Sequence, residues 1–121
     1  LRHLNQVPHE RMHELYAAAD LLFLPSRGEG LPLTLQEAML MGTPAVVSTD
    51  PSFVANVSAA PGVRLGDGPE ALVAAVRETF ANPPGRSAVA QWSQAQWGLQ
   101  RFVSEYEEVL RDSIRRRLSA S

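Results

Sequence analysis

Residues 9–13 read HERMH, which matches the H-E-x-x-H pattern of zinc peptidases. In that pattern two histidines four residues apart share a helix face and bind Zn²⁺, while the glutamate acts as a general base. Here His9 directly follows Pro8, a residue favoured at the start of a helix. His9 is therefore expected in a frayed first turn, whereas zinc ligands need a rigid platform. The pattern favours a solvated helix start and leaves a zinc metallopeptidase as a remote alternative.

A second candidate site lies in the segment PSRGEGLPLTLQEAMLMGTPAVVS, where seven residues separate Glu29 from Glu37. The helix predicted here begins near Leu33 and Thr34, and the free amides and positive dipole end of a helix form a ready anion site. Carboxylates accept hydrogen bonds from a diol such as ribose. A phosphate on the amides together with sugar hydroxyls on the carboxylates indicates a nucleotide sugar.

Both glutamates also have purely structural interpretations. Thr34-x-x-Glu37 fits a capping box, in which Thr34 caps the helix and Glu37 bonds back to the Thr34 amide. A capping carboxylate would still lie where a ribose could reach it, so the two interpretations are compatible. Taken without its neighbours, Glu29 is better explained as a solvated loop charge than as a ligand.

The elements that must position these residues alternate between strands and helices. This alternation predicts an α/β fold, a partial Rossmann-like parallel sheet with flanking helices. Ligands in such folds bind at the carboxyl ends of the strands, so the loop after the first strand is the expected site. The predicted strands are Leu21–Leu24, Ala45–Val47 and Val63–Leu65. The first two predicted helices are residues 8–20 and Leu33–Leu40, the second of which ends before Gly42. A third helix carries an apolar stripe of Leu72, Val76 and Phe80, and a terminal helix covers about 98–118.

Composition bounds the function classes. A length of 121 residues fits one domain, and the absence of cysteine excludes disulfides and thiolate metal sites. A net charge of −2 gives no electrostatic reason to expect nucleic-acid binding. No apolar run approaches the ~18 residues that a membrane span needs. We expect a cytoplasmic protein whose membrane contact is at most peripheral.

Three stretches together resemble a known family. LYAAADLLFLPS, then EGLPLTLQEAM with its E-x7-E spacing, then GTPAVVS look like the donor-binding half of retaining glycosyltransferases of family 4 (group 1), which have the GT-B architecture. DGPEALVAAV resembles the next helix of that family, and the stretch from Trp97 to Leu110 resembles its closing helix. The resemblance implies a single, truncated nucleotide-sugar-binding domain over residues 1–121, the carboxy-terminal half of a GT-B enzyme.

The resemblance also implies roles for individual residues. Glu37 would hold the ribose hydroxyls of the donor, and the backbone of Leu33 and Thr34 would meet its diphosphate. Glu29, as the catalytic residue, and the backbone of Gly30-Leu31-Pro32 would lie beside the transferred sugar. The sugar would move with retention of configuration, with no metal ion and no cofactor other than the donor substrate.

Several family features are expected outside this chain. The arginine and lysine that contact the diphosphate lie upstream in the family, and position alone does not give Arg27 that role. The acceptor site belongs to the amino-terminal GT-B domain, the expected partner. We therefore predict that the isolated chain is inactive and that it self-associates through exposed apolar surface. A non-catalytic nucleotide-binding or interaction module of the same fold is the alternative.

Two groups nearer the carboxyl terminus leave a choice of interpretation. Trp92 and Trp97 are more typical of aromatic residues that anchor a terminal helix than of a sugar-stacking platform. Arg115–Arg117 favour the dipole at a helix end, and this short cluster only weakly indicates a lipid surface.

Overall fold

The computed structural model describes residues 8, 11–28, 30–98, 108 and 111–119. Strands and helices alternate along the chain, as the apolar runs predict. The elements are α1 (Met12–Ala18), β1 (Leu22–Leu24), α2 (Leu33–Leu40), β2 (Ala45–Ser48), α3 (Pro51–Val57), β3 (Val63–Gly66), α4 (Pro69–Ala81) and α5 (Arg86–Trp97). Residues 111–119 are also helical.

The three strands form one parallel sheet in the order β1-β2-β3. In its register Leu22 lies opposite Ala45, which in turn lies opposite Val63. The predicted α/β fold with a parallel sheet and flanking helices is therefore confirmed. Because all three strands run in the same direction, their carboxyl ends meet at one edge, where ligands bind in folds of this kind.

The central strand β2 is buried along its whole length, since helices cover both faces of the sheet. Ala45 and Val47 join the larger apolar cluster on one face, while Val46 points to the other face and packs with Leu72 and Ala75 of α4. The larger cluster consists of Leu35, Met39, Ala45, Val47, Phe53, Val57, Ala60 and Val89. Its helical members come from α2, α3 and α5, which therefore share that face.

Helix α2 ends in a Schellman motif, and this ending sets the direction in which the chain enters β2. The Gly42 amide donates to the Met39 carbonyl at 2.9 Å, and the Thr43 amide donates to the Ala38 carbonyl at 3.0 Å. Gly42 has φ +84°, a backbone conformation that residues with a Cβ rarely adopt. The sequence prediction that Gly42 follows the last helical residues is confirmed.

The carbonyl end of α1 is satisfied by an arginine from the far end of the domain. The Arg86 guanidinium donates to the Ala19 carbonyl at 2.7 Å and to the Ala17 carbonyl at 2.9 Å. The buried Thr43 hydroxyl donates to the Tyr16 carbonyl. The last carbonyls of a helix have no partners within the helix, so these donors replace them and tie α1 to α5 and to the start of β2.

The apolar stripe predicted for α4 is only partly correct. Leu72 is buried with Ala75 and Thr79, Val76 is half-buried, and Phe80 is 58% exposed. Since each residue turns a helix by about 100°, the eighth residue after Leu72 lies about 80° away from it, whereas the seventh lies only about 20° away. The buried stripe therefore follows Thr79, whose hydroxyl donates to the Ala75 carbonyl at 2.8 Å.

Two helices and two helix boundaries differ from the sequence predictions. Helices α3 and α5 were not predicted, and α1 begins at Met12 rather than near Pro8. Gly98, where the terminal helix was expected to begin, has extended backbone angles. Residues 111–119 of that predicted helix are helical, whereas residues 99–107 and 109–110 lie outside the described residues.

Replacing Arg86 with alanine should destabilise the fold, because the carbonyls at the end of α1 lose their charged donor. Hydrogen bonds to charged groups contribute about 1.5–3 kcal/mol, so we expect the free energy of unfolding in urea to fall by about 2 kcal/mol. Arg77→Ala on the exposed side of α4 is the matched control. Equal losses in the two variants would show that Arg86 has no capping role.

Replacing Gly42 with alanine should cost more than the same change at Gly28. The two glycines have the same kind of backbone conformation, with φ +84° at Gly42 and +83° at Gly28. A Cβ at Gly42 would lie 2.7 Å from the Arg86 carbonyl oxygen, whereas a Cβ at Gly28 would meet nothing within 4 Å. Strain in the left-handed region acts on both variants, and overpacking adds about 1–3 kcal/mol at Gly42 alone. Urea denaturation of the two variants measures the difference; equal costs would contradict the close contact.

Candidate functional site

The candidate site lies at the carboxyl edge of the sheet, where the loop after β1 is bonded to the end of β2. The Ser48 hydroxyl donates to the Ser26 carbonyl at 2.8 Å. Two residues further along the loop, the Gly28 amide donates to the Asp50 carboxylate at 2.6 Å. The two bonds flank the residue between them, so the backbone on both sides of Arg27 is held.

Arg27 itself spans the edge. One of its guanidinium nitrogens, Nη2, donates to the Thr49 hydroxyl at 2.9 Å and to the Asp67 carboxylate at 2.6 Å. Thr49 follows β2 and Asp67 follows β3, so Arg27 links the carboxyl ends of all three strands. The Arg27 and Asp67 side chains are 56% and 79% exposed, which leaves this pair open to solvent.

Asp50 has an internal role at the same edge. It is the N-cap of α3: its carboxylate accepts the Ser52 amide at 2.9 Å and the Ser52 hydroxyl at 2.6 Å, and Pro51 occupies the first helical position. Asp50 is only 7% exposed. The Gly28 amide, followed by the bonds from Ser52, holds the pKa of this carboxyl below its usual range.

Helix α2 begins at the same edge, but without the capping box that its sequence suggested. Pro32 occupies the N-cap position, and no side chain caps the helix. Thr34 is the second helical residue and therefore cannot be the cap, so the capping-box interpretation is wrong. Leu33 is 63% exposed and Thr34 is exposed as well, which places the first turn of α2 at the surface.

Glu37 lies one turn into α2 and is half-buried against α1. The Tyr16 hydroxyl lies near the side chains of both Glu37 and Thr34. Burial raises the pKa of Tyr16 above its usual value of 10.0, and the negative charge of Glu37 raises it further. Tyr16 therefore stays neutral and remains a hydrogen-bond donor beside the Glu37 carboxylate.

The remaining residues of the predicted donor loop are placed unevenly. Gly30 is exposed with φ +28°, and Leu31 packs against the larger apolar cluster. Glu29 lies outside the described residues, so its pairing with Glu37 across the E-x7-E spacing stays a prediction.

The other sequence candidates show no ligand chemistry in the described part of the chain. No group of three histidine, aspartate or glutamate side chains there could hold a metal ion. His13 is exposed in the first turn of α1, while His9 and Glu10 lie outside the described residues. Trp92 and Trp97 form an edge-to-face pair with centroids 5.4 Å apart and pack against the larger apolar cluster, in agreement with an anchoring role.

A comparison with family models identifies the family of the chain. The model of the glycosyl transferases group 1 matches residues 1–96 of the 121. The chain belongs to this family. The match spans every element from α1 to β3 and α4, and it ends within α5. Group 1 domains bind a nucleotide-sugar donor. Comparisons with curated proteins and with solved structures return no significant match.

The sequence motifs did not point to Arg27 or Asp50 as residues of the candidate site. The sequence did carry one signal for Asp50: an aspartate before a proline, followed by Phe53 and Val57 at helical spacing, is typical of a capped helix start. The contacts of Arg27 cross 22 and 40 residues of sequence, so no local pattern encodes them.

None of the helices in the described residues is long and apolar enough to cross a membrane.

The lowered pKa of Asp50 predicts a specific acid sensitivity for this group 1 domain. A carboxylate whose pKa is depressed by folding stabilises the fold above its usual pKa of about 3.9, and this contribution is lost as the pH falls through the folded value. Asp50→Asn keeps a capping side chain but cannot ionise. We expect the variant to be less stable than the wild type at pH 6, with a difference that shrinks below about pH 4.

Urea denaturation at a series of pH values between 3 and 6 measures this difference. Asp20→Asn is the matched control, because Asp20 is an exposed aspartate that precedes β1 at the opposite edge of the sheet. A stability difference for Asp50→Asn that stays constant over the whole pH range would show that the charge of Asp50 does not stabilise the loop.

Proposed function

We propose that this domain is the donor-binding part of a glycosyltransferase that transfers a sugar from a nucleotide-sugar donor with retention of configuration. The observation that carries the proposal is the arrangement at the start of α2, inside the region matched by the group 1 model. There the first helical turn has no side-chain cap, and the half-buried Glu37 carboxylate follows one turn later with Tyr16 as its neighbour.

The start of α2 would hold the nucleotide. The backbone amides of Leu33 and Thr34 have no partner inside the helix, and the helix dipole adds positive potential, so this turn suits the donor diphosphate. The two oxygens of Glu37 accept hydrogen bonds from vicinal hydroxyls, and ribose presents such a pair. The neutral Tyr16 hydroxyl lies beside the same carboxylate and limits the space in which Glu37 can reorient before the ribose arrives.

The loop before α2 would hold the transferred sugar. We assign Glu29 to the catalytic position beside the anomeric carbon, with the backbone of Gly30-Leu31-Pro32 along the sugar. In the reaction the bond from the anomeric carbon to the diphosphate breaks, the acceptor hydroxyl oxygen bonds to the same face of the sugar, and the hydroxyl proton passes to the departing diphosphate. Backbone dipoles and positive charge stabilise the departing diphosphate, as preorganised donors do where negative charge develops.

A second candidate is a nucleotide-binding or interaction module without transferase activity. One observation favours it: Arg27 is the only basic residue in the segments that follow the three strands, residues 25–32, 49–50 and 67–68. A single basic residue supplies little of the charge that a departing diphosphate needs. Both candidates predict that the 121-residue chain is inactive in isolation and that it self-associates.

Nucleotide binding that depends on Glu37 would separate the first proposal from an inert fold. We expect one of UDP, GDP and ADP to raise the melting temperature, because a ligand at 100 times its Kd adds about 2.7 kcal/mol to stability. Glu37→Ala should abolish the rise, whereas Glu70→Ala, at an exposed glutamate in the first turn of α4, should preserve it. Differential scanning fluorimetry measures all three proteins.

Two outcomes would contradict the donor-site assignment. A nucleotide-induced shift that survives in Glu37→Ala would place the nucleotide elsewhere. A cooperative melt without a shift for any nucleotide would favour an interaction module. Zn²⁺ added alone serves as a further arm, since a shift with zinc only would favour the peptidase interpretation of residues 9–13.

A further inference from the structure

Arg27 occupies a position that its sequence context does not explain. It lies in the loop between β1 and α2, and it is the only basic residue among the segments that follow the strands. Both hydrogen bonds that its guanidinium makes to described residues at this edge come from one nitrogen, Nη2. A guanidinium carries five N–H donors in a planar fork, so Arg27 is built to bind more than these two oxygens.

The carboxylate that Arg27 contacts is itself exposed to solvent. Asp67 is 79% exposed and lies 2.6 Å from Nη2. Ion pairs with both partners exposed contribute little to stability and exchange easily with solvent and other ions. Carboxylate and phosphate present similar pairs of oxygens to a guanidinium, which binds either of them through two parallel N–H bonds. Asp67 therefore occupies the place at which an anionic ligand would meet Arg27.

We propose that Arg27 binds the donor diphosphate, and that Asp67 holds the guanidinium at the sheet edge until the diphosphate replaces the carboxylate. The inference rests on the proposed function and adds a residue to it. Arg27 and the amides at the start of α2 belong to the same connection, residues 25–33, so both would contact the same diphosphate.

The exchange needs no movement of the loop. The residues on either side of Arg27 are fixed by separate bonds, Ser26 through the Ser48 hydroxyl and Gly28 through the Asp50 carboxylate. Neither bond involves the guanidinium or Asp67. The Arg27 backbone therefore stays in place while its long side chain changes partner. Ligand binding then carries no entropic cost of ordering the loop.

The charges at this edge of the sheet predict how substitutions of Arg27 and Asp67 change diphosphate binding. The Asp50 carboxylate is engaged by the amides of Gly28 and Ser52, so it competes little for the guanidinium. Asp67 is its direct competitor at Nη2. Removing the charge of Asp67 should release Arg27 for the ligand, whereas removing the charge of Arg27 should leave the diphosphate with the helix amides alone.

Isothermal titration calorimetry on the 121-residue chain tests the proposal with the nucleoside diphosphates UDP, GDP and ADP and the corresponding monophosphates. Arg27→Gln should weaken binding of the diphosphate about tenfold or more and binding of the monophosphate less, since a second phosphate adds contacts with the guanidinium. Asp67→Asn should tighten diphosphate binding severalfold. Arg77→Gln on α4 is the matched control and should change neither. Unchanged melting temperatures of the ligand-free variants confirm that they fold.

Other outcomes would contradict either this inference alone or this inference together with the proposed function. If Arg27→Gln changes the affinity no more than Arg77→Gln, or if Asp67→Asn weakens binding as much as Arg27→Gln does, Arg27 and Asp67 only brace the loop and this inference fails. If nucleotide binding depends on Glu37 but not on Arg27, this inference fails while the proposed function stands. If the wild-type chain binds none of the three diphosphates, both fail together.

Discussion

The parallel pairing of β2 with β1 and β3 is the contact on which the rest of the structure depends. A strand of four residues buried on both faces supplies side chains to both apolar clusters, so helices can pack on either side of the sheet. The common strand direction brings the three carboxyl ends together, and the contacts of Arg27 and Asp50 lie at these ends. Without β2 the loop after β1 would have neither Ser48 nor Asp50 to hold it.

Carboxylates at the site serve two different purposes, and their surroundings distinguish them. Asp50 is buried, and its carboxylate accepts hydrogen bonds from backbone amides, so it is part of the framework. Glu37 faces a tyrosine hydroxyl at the end of a helix turn, and Asp67 faces an exposed arginine. In the proposed donor site, a ligand replaces the contacts of the last two. This division would let an edge with few basic residues bind an anionic donor.

The sequence predicted those features that local patterns encode. The apolar runs indicated all three strands, and Gly42 marked the end of α2 because only a residue without a Cβ tolerates that turn. The capping box failed because Pro32, not Thr34, precedes the first helical residue. Helix α5 was missed because it has no capping side chain at its start, and its first residue bonds to carbonyls near residues 16–19. Contacts as distant as those of Arg27 and Arg86 exist only once the chain has folded.

The bond from Arg86 to the end of α1 links two parts of the chain that are far apart in sequence. The guanidinium holds the backbone at Tyr16 through the α1 carbonyls, and the Tyr16 side chain in turn contacts Glu37. Helix α5 thus supports the candidate site from outside it. For anyone who builds chimaeric glycosyltransferases, a junction between α4 and α5 would separate Arg86 from the helix it supports. A junction after Gly98 keeps the helix pair, and with it the orientation of Glu37, within one parent.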